Sequence, residues 1–229
     1  METDMDAPFK DIWFLHWLTA SGGLEEFQEH ISIEIAEAFR TLEHFVLPPK
    51  FDTLLDRSIH VIPEIGILGR AHNSMLFSLN FDPENPNFKP SLIDGTLQRQ
   101  LLHETHHCMR MAGPGYGWTL GEALVSEGLA GHFVQYLMNT PSELWESAVN
   151  IDVLNAHRPS VAELQSTDYN HAEWFFGRGR FPRWLGYSMG FELVRLWRET
   201  VQPATQAQWI NTPSNEILTI GKEGGLIRD

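Results

Sequence analysis

Apolar residues between Leu24 and Leu47 recur every three or four places, at Phe27, Ile31, Ile35, Ala38, Leu42 and Phe45. That period predicts an amphipathic helix, which Pro48-Pro49 stops. The preceding stretch, Lys10 to Ala20, crowds Ile12, Trp13, Leu15, His16 and Trp17 over much of a helical surface. It predicts a short helix interrupted at Ser21-Gly22-Gly23. The pattern then changes: Ser58 to Ile62 and Ser74 to Leu79 read as strands, with Gly66 and Gly69 between them, and Asp82 to Asn87 as a Pro-broken polar loop. A helix bearing Leu97, Leu101, His103, Glu104 and His107 follows, capped by Ser91 or Asp94 and ended by Gly113-Pro114-Gly115.

After a glycine-rich turn, the pattern predicts a helix from about Leu120 to Met138. Thr140-Pro141-Ser142-Glu143 has the form of a capping box and predicts a further helix to about Ala156. Pro159-Ser160 opens a short helix, and Tyr169 to Arg183 is aromatic and irregular. A long helix begins at Pro182 or Trp184 and runs through Trp197. Two short ones follow, from Thr205 and from Thr212-Pro213, and Gly221 to Asp229 reads as a mobile tail. The expectation is a predominantly helical α+β chain of one domain over 1–229, with helices in 1–57, a small sheet in 58–81, paired helices in 91–138 and more helices in 140–220.

Composition narrows the classes. With 42% hydrophobic residues and eight Trp, the chain has ample material for a core. A net charge of −14 argues against nucleic acid or an anionic membrane surface as partner. Cys108 is the one cysteine, so no internal disulfide forms, which fits a reducing compartment. Glu2, Asp4 and Asp6 stand where a signal peptide carries positive charge, and Ile12 to Ala20 is too short to span a bilayer. A cytoplasmic protein without a membrane segment is expected.

The candidate chemistry sits in the helix that Leu97, Leu101 and Leu102 mark as packed. His103-Glu104-Thr105-His106-His107 is H-E-x-x-H. Two imidazoles four apart lie on one helical face and can hold one Zn²⁺, with Glu104 placed to reach a water. Burying these three polar groups without partners is costly, and a metal satisfies both imidazoles at once. Three protein ligands leave one position for water. A third His six residues after His107 is ruled out because that position is Gly113. Two glutamates on the following helix remain, Glu122 and Glu127. Glu127 shares a stripe with Leu120, Leu124, Gly131 and Val134, and Gly128 and Gly131 beside it allow close approach of the two helices. Glu122 lies roughly 140° round the helix, where it serves the helix dipole or backs up a ligand His. Glu127 is the preferred ligand. His106 reads as structural or as a support to the ligands, Cys108 as a small buried residue, and His132, His157 and His171 as ordinary histidines. Arg178, Arg180 and Arg183 form a basic cluster that suits a solvated loop better than a substrate carboxylate.

Three segments together resemble the DUF2268 family of predicted zinc-dependent proteases: His103 to Arg110, Leu124-Val125-Ser126-Glu127-Gly128-Leu129-Ala130, and Trp184-Leu185-Gly186-Tyr187-Ser188-Met189-Gly190. That family is similar to the gluzincins, in which the helix after H-E-x-x-H supplies a glutamate ligand. The resemblance implies a zincin-like fold with a small sheet packed on the H-E-x-x-H helix. Where gluzincins often carry an acid four places after the ligand Glu, this chain has Gly131, so Glu122 or His132 would have to orient a ligand His. Tyr187, also inside the resemblance, is the candidate oxyanion donor; the competing reading is a half-buried Tyr packed under Trp184. A strand near the site, Ser74 to Leu79, is the candidate for pairing with an extended substrate. The function expected is zinc-dependent hydrolysis of a peptide or protein substrate, with Glu104 as base. The alternative is an inactive zincin-fold binding or regulatory module.

Overall fold

A computed structural model describes residues 8–229. The chain divides into two compact units, Met1–Ala112 and Gly113–Asp229.

In the first unit, β1 (Trp13–Leu18), β2 (Phe51–Arg57), β3 (Ile67–Asn73) and β4 (Leu76–Phe81) form a mixed sheet in the order β1-β2-β4-β3. β1 and β4 both run parallel to β2, and β3 pairs antiparallel with β4. Thr53 aligns with Leu15 on one side and Phe77 on the other. Phe51, Thr53 and Leu55 alternate inward on β2, as do Phe77, Leu79 and Phe81 on β4. Trp13, Phe51 and Phe77 form a chain of rings across three strands, at successive centroid distances of 5.6 Å. Phe39 of α1 (Gln28–Glu43) closes on Trp13 edge-on at 5.1 Å. The H-E-x-x-H sequence lies on α3 (Thr96–Met111), which packs against β3, β4, α1 and the short α2 (Phe88–Ile93).

Three expectations need correction here. Lys10 to Ala20 is not a helix: it holds a 3-10 turn, Pro8–Asp11, and then β1. Its six residues WFLHWL are apolar on both sides, which hides the two-residue period, and a run this short and aromatic suits a strand. The strand expected at Ser58 to Ile62 is a connection in which Ile59 is exposed and Ser58 Oγ accepts from the His60 N–H. Its place in the sheet is taken by β3, whose Gly69 weakened the strand signal. The sheet therefore draws on 13–18 and 51–57 as well as on 67–81.

The second unit holds α4 (Leu120–Met138), α5 (Ile151–Ala156), α6 (Val161–Gln165), α7 (His171–Phe176), α8 (Leu185–Thr200), α9 (Gln206–Asn211) and α10 (Ser214–Glu223). The central pair is α4 and α8. A Cβ on Gly128 would lie 2.0 Å from the Gly190 carbonyl oxygen, and one on Gly190 would lie 2.1 Å from that of Leu124. Only glycines let these backbones touch. The expected role of the glycines is thus revised: Gly128 seats α4 on α8, and Gly131 makes room for the Glu146 side chain. Residues 140–150 form turns, not a helix; Glu143 donates its N–H to Glu146 Oε2 at 2.7 Å, and the Asn150 side chain caps α5. The tail is tied down: Leu226 and Ile227 are buried, and Arg228 donates its N–H to the Pro159 carbonyl at 2.9 Å. No helix among the described residues is long and apolar enough to cross a membrane.

Candidate metal centre

The helix that carries the motif is buried almost end to end, from Thr96 to Arg110. Gly95 stands at its N-cap, and Asp94 Oδ1 accepts from the Thr96 N–H at 2.9 Å, so one of the two expected caps takes part; Ser91 lies inside α2. One turn apart on this helix, His103 and His107 set their rings nearly perpendicular, with Nε2 facing Nε2 at 3.0 Å. Both imidazoles thus present the same nitrogen to one point. Glu104 is 5% exposed and runs along the edge strand: a Cβ on Gly69 of β3 would lie 2.5 Å from Glu104 Cγ and Oε1. The carboxylate occupies the volume that a side chain at residue 69 would fill. The same carboxylate and burial push the Cys108 thiol up to about 12, burial being the larger cause, so the thiol stays protonated.

Glu127 lies on α4. Its Oε1 accepts from the Tyr116 phenol at 2.6 Å. Tyr116 stands between Gly115 (φ +94) and Gly117 (φ +103), a turn that an L side chain rarely adopts. Its carbonyl is fixed by Ser126 Oγ at 2.7 Å. Burial, then the neighbouring Glu127 charge, raise the phenol's pKa well above its ordinary value, so it remains a donor.

His103 and His107 stand on α3 in the first unit and Glu127 on α4 in the second. Zinc bonds to nitrogen and oxygen of about 2.0–2.2 Å hold tetrahedral ligands roughly 3.3–3.6 Å apart. Two imidazoles and one carboxylate are also a zinc donor set that leaves a position for water. His103 and Glu127 each retain 9% of their surface and His107 retains 4%, so each of the three side chains is nearly buried. The donor chemistry fits the ion, and the 3.0 Å between the two imidazole Nε2 atoms is near the separation that tetrahedral zinc holds.

A family model described as "Predicted Zn-dependent protease (DUF2268)" matches residues 74–219. The chain belongs to the DUF2268 family. No curated protein and no solved structure matches it.

In this DUF2268 chain Glu122 is a capping residue. Its carboxylate accepts from the N–H groups of Trp118 and Thr119 and from the Thr119 hydroxyl, and the Glu122 N–H donates in turn to Thr119 Oγ1. The Thr119 backbone bond is the main cause of its lowered pKa. His132 is also occupied elsewhere: Arg198 donates to its Nδ1 at 2.9 Å, and its Nε2–H donates to the Phe191 carbonyl at 2.8 Å. The gap that Gly131 leaves is filled differently: a Cβ there would lie 2.1 Å from Glu146 Oε1, and Glu146 is 6% exposed. His106 is fully buried beside His107, ring centroids 6.3 Å apart.

Tyr187 packs edge-on against Phe175 at 5.0 Å and is half-buried; it is near enough to Tyr116 to contribute to raising that phenol's pKa. Trp184, just before α8, holds φ +67, unusual for so bulky a residue, with the Arg183 guanidinium 3.9 Å from its ring centre. Arg178, Arg180 and Arg183 are exposed, Arg180 pairing with Glu173 at 3.5 Å and lying over Phe181. Ser74 to Leu79 does not offer a free edge: β4 has a neighbour on each side, whereas β1 and β3 are the edge strands, and of the two β3 packs against α3.

Residues that the sequence reading missed are Tyr116, Gly69 and Glu146. Tyr116 carried a signal, an aromatic residue enclosed by Gly115 and Gly117 in a glycine-rich turn. Gly69 and Glu146 carried none, since their roles arise from residues 35 and 15 positions away. Tyr169 and His171 also feel the Glu127 charge, so they line the same part of this unit.

Proposed function

We propose that this chain is a zinc-dependent peptidase of zincin-like fold, with His103, His107 and Glu127 as ligands and Glu104 as general base. The observation that carries the reading is the seating of the Glu104 carboxylate against Gly69 of β3, on the same helical turn as the paired imidazoles. Base, metal-binding nitrogens and an open strand edge are thereby supplied by neighbouring elements.

Zinc held there would polarise a carbonyl and acidify a water near neutral pH. An extended substrate adds to the outer edge of β3, its backbone bonding to Ile67–Asn73 and bringing a peptide carbonyl alongside Glu104. Glu104 accepts a proton as water attacks that carbonyl. It then delivers the proton to the nitrogen as the C–N bond breaks. The Tyr187 phenol donates to the developing oxyanion. Tyr116 keeps the Glu127 carboxylate oriented through the 2.6 Å bond. The buried single cysteine suits a cytoplasmic setting.

The test is cleavage of a peptide library by wild type and Glu104→Gln, each with its zinc content measured. Glu104→Gln is expected to keep its metal and lose about 10²–10⁴-fold in rate. Equal rates in the two proteins would remove hydrolysis from this site. Zinc binding without any cleavage by wild type would favour a binding or regulatory module.

A further inference from the structure

At the far end of the α4–α8 pair, a cavity of about 420 Å³ is lined by Tyr136, Arg198, Val201, Gln202, Pro203, Ala204 and Trp209. Its volume is in the range of small-molecule sites. Tyr136 lies nine residues beyond Glu127 on α4, about 13 Å along the helix, so the cavity is separate from the residues of the metal centre.

Arg198 is the unusual member. Acidic residues outnumber Lys and Arg by 30 to 16 in this chain, so an arginine here ordinarily finds a carboxylate. The two acids next to it on α8 are taken: Arg195 binds Glu192 at 2.8 Å and Glu199 at 2.5 Å. Among the described residues Arg198 forms no ion pair. Its one hydrogen bond runs from Nη1 to His132 Nδ1, 2.9 Å. An arginine has no acceptor, so His132 must be neutral with its proton on Nε2, where Phe191 O receives it. The His132 ring stacks on Phe191 with centroids 3.8 Å apart. A buried, stacked and neutral residue therefore holds the guanidinium in place without neutralising it. The rest of its fork is left for another acceptor.

The surroundings say what kind of acceptor. The Arg198 guanidinium is 5.5 Å from the centre of the Trp209 ring, and Tyr136 meets Trp209 at 5.5 Å with a tilt of 35°. Val201, Pro203 and Ala204 complete an apolar wall, and Gln202 offers an amide at the exposed rim. A phosphate calls for several cations or backbone donors. One guanidinium fork beside aromatic and aliphatic walls matches a single carboxylate on an apolar body. We propose that this cavity binds such a monocarboxylate, with Arg198 taking the carboxylate and Trp209, Tyr136 and the 201–204 segment taking the apolar part. Two sources share that chemistry, a free small carboxylic acid and the C-terminus of a peptide ending in an apolar residue.

Calorimetric titration of the full chain with 3-phenylpropionate and with its primary amide tests the site, in chelator and again with added zinc. The acid is expected to bind at least tenfold more tightly than the amide, equally in both conditions. Arg198→Gln should weaken the acid at least tenfold. Gln202→Glu, at an exposed position that leaves the core alone, should do the same by placing a like charge at the rim. N-acetyl-alanyl-phenylalanine distinguishes the sources: tighter binding than 3-phenylpropionate assigns a peptide C-terminus, and weaker binding assigns a free acid. The proposal is overturned if neither acid binds, if acid and amide bind alike, if binding requires zinc, or if both variants bind as wild type does.

Discussion

Tyr116 and Glu122 show how two polar residues near one helix start divide their work. Glu122 closes the capping box and Tyr116 restrains Glu127. Removing the phenol hydroxyl takes away the 2.6 Å restraint on the Glu127 carboxylate. Tyr116→Phe is therefore expected to weaken zinc binding by about 10–100-fold, the usual effect of losing a bond to a ligating group, as read by competition with a chelating dye. An unchanged affinity would mean that the 2.6 Å bond does not serve the metal. That Glu127 and Glu122 leave α4 in different directions was legible from helical spacing, because angle round a helix is a local property. Tyr116 was not, because its contact depends on a glycine turn folding back across ten residues.

Helices with long, regular apolar periods were read well: α1, α3 and α4 lie within the stretches that their periodicity marked, and α8 begins within its own and runs on to Thr200. Elements whose character comes from neighbours were not. β1 has apolar residues on both faces and is a strand because β2 pairs with it; Thr140 to Glu143 carries a capping signature, yet no helix follows directly. The α4–α8 contact lies between these cases, since Gly128 and Gly190 could be seen but not their partner. Alanine at residue 128 gains about 1 kcal/mol of helix propensity. It also drives a methyl into the Gly190 carbonyl, a backbone atom that cannot swing away, at a cost of about 1–3 kcal/mol or more. Overpacking wins, and Gly128→Ala should lower the melting temperature by several degrees. A melting temperature equal to or above wild type would show that the helices are not in this contact.

Across the whole chain, pH acts on stability through the same buried histidine that holds Arg198. Burial, reinforced by Arg198 and Arg195, lowers His132 from 6.5 to about 3 despite the bond to Phe191. The unfolded chain protonates this residue below about pH 6.5 and the folded chain does not. Its contribution is therefore complete above that pH and falls by about 1.4 kcal/mol per pH unit as pH drops toward 3. With a net charge of −14, acidification also relieves repulsion, so the comparison must be internal. Glutamine can accept from Arg198 and donate to Phe191 without titrating. Urea unfolding between pH 6.5 and 4.5 should show a steeper loss in wild type than in His132→Gln, and parallel losses would contradict a neutral His132. The zinc site itself is tested most directly by counting metal. Protein saturated with Zn²⁺ and freed of excess should hold one zinc per chain by elemental analysis, with Glu122→Ala still holding it and Glu127→Ala and His107→Ala losing it. A wild-type chain that retains no zinc, or a Glu127→Ala chain that retains a full equivalent, would contradict the three-ligand centre.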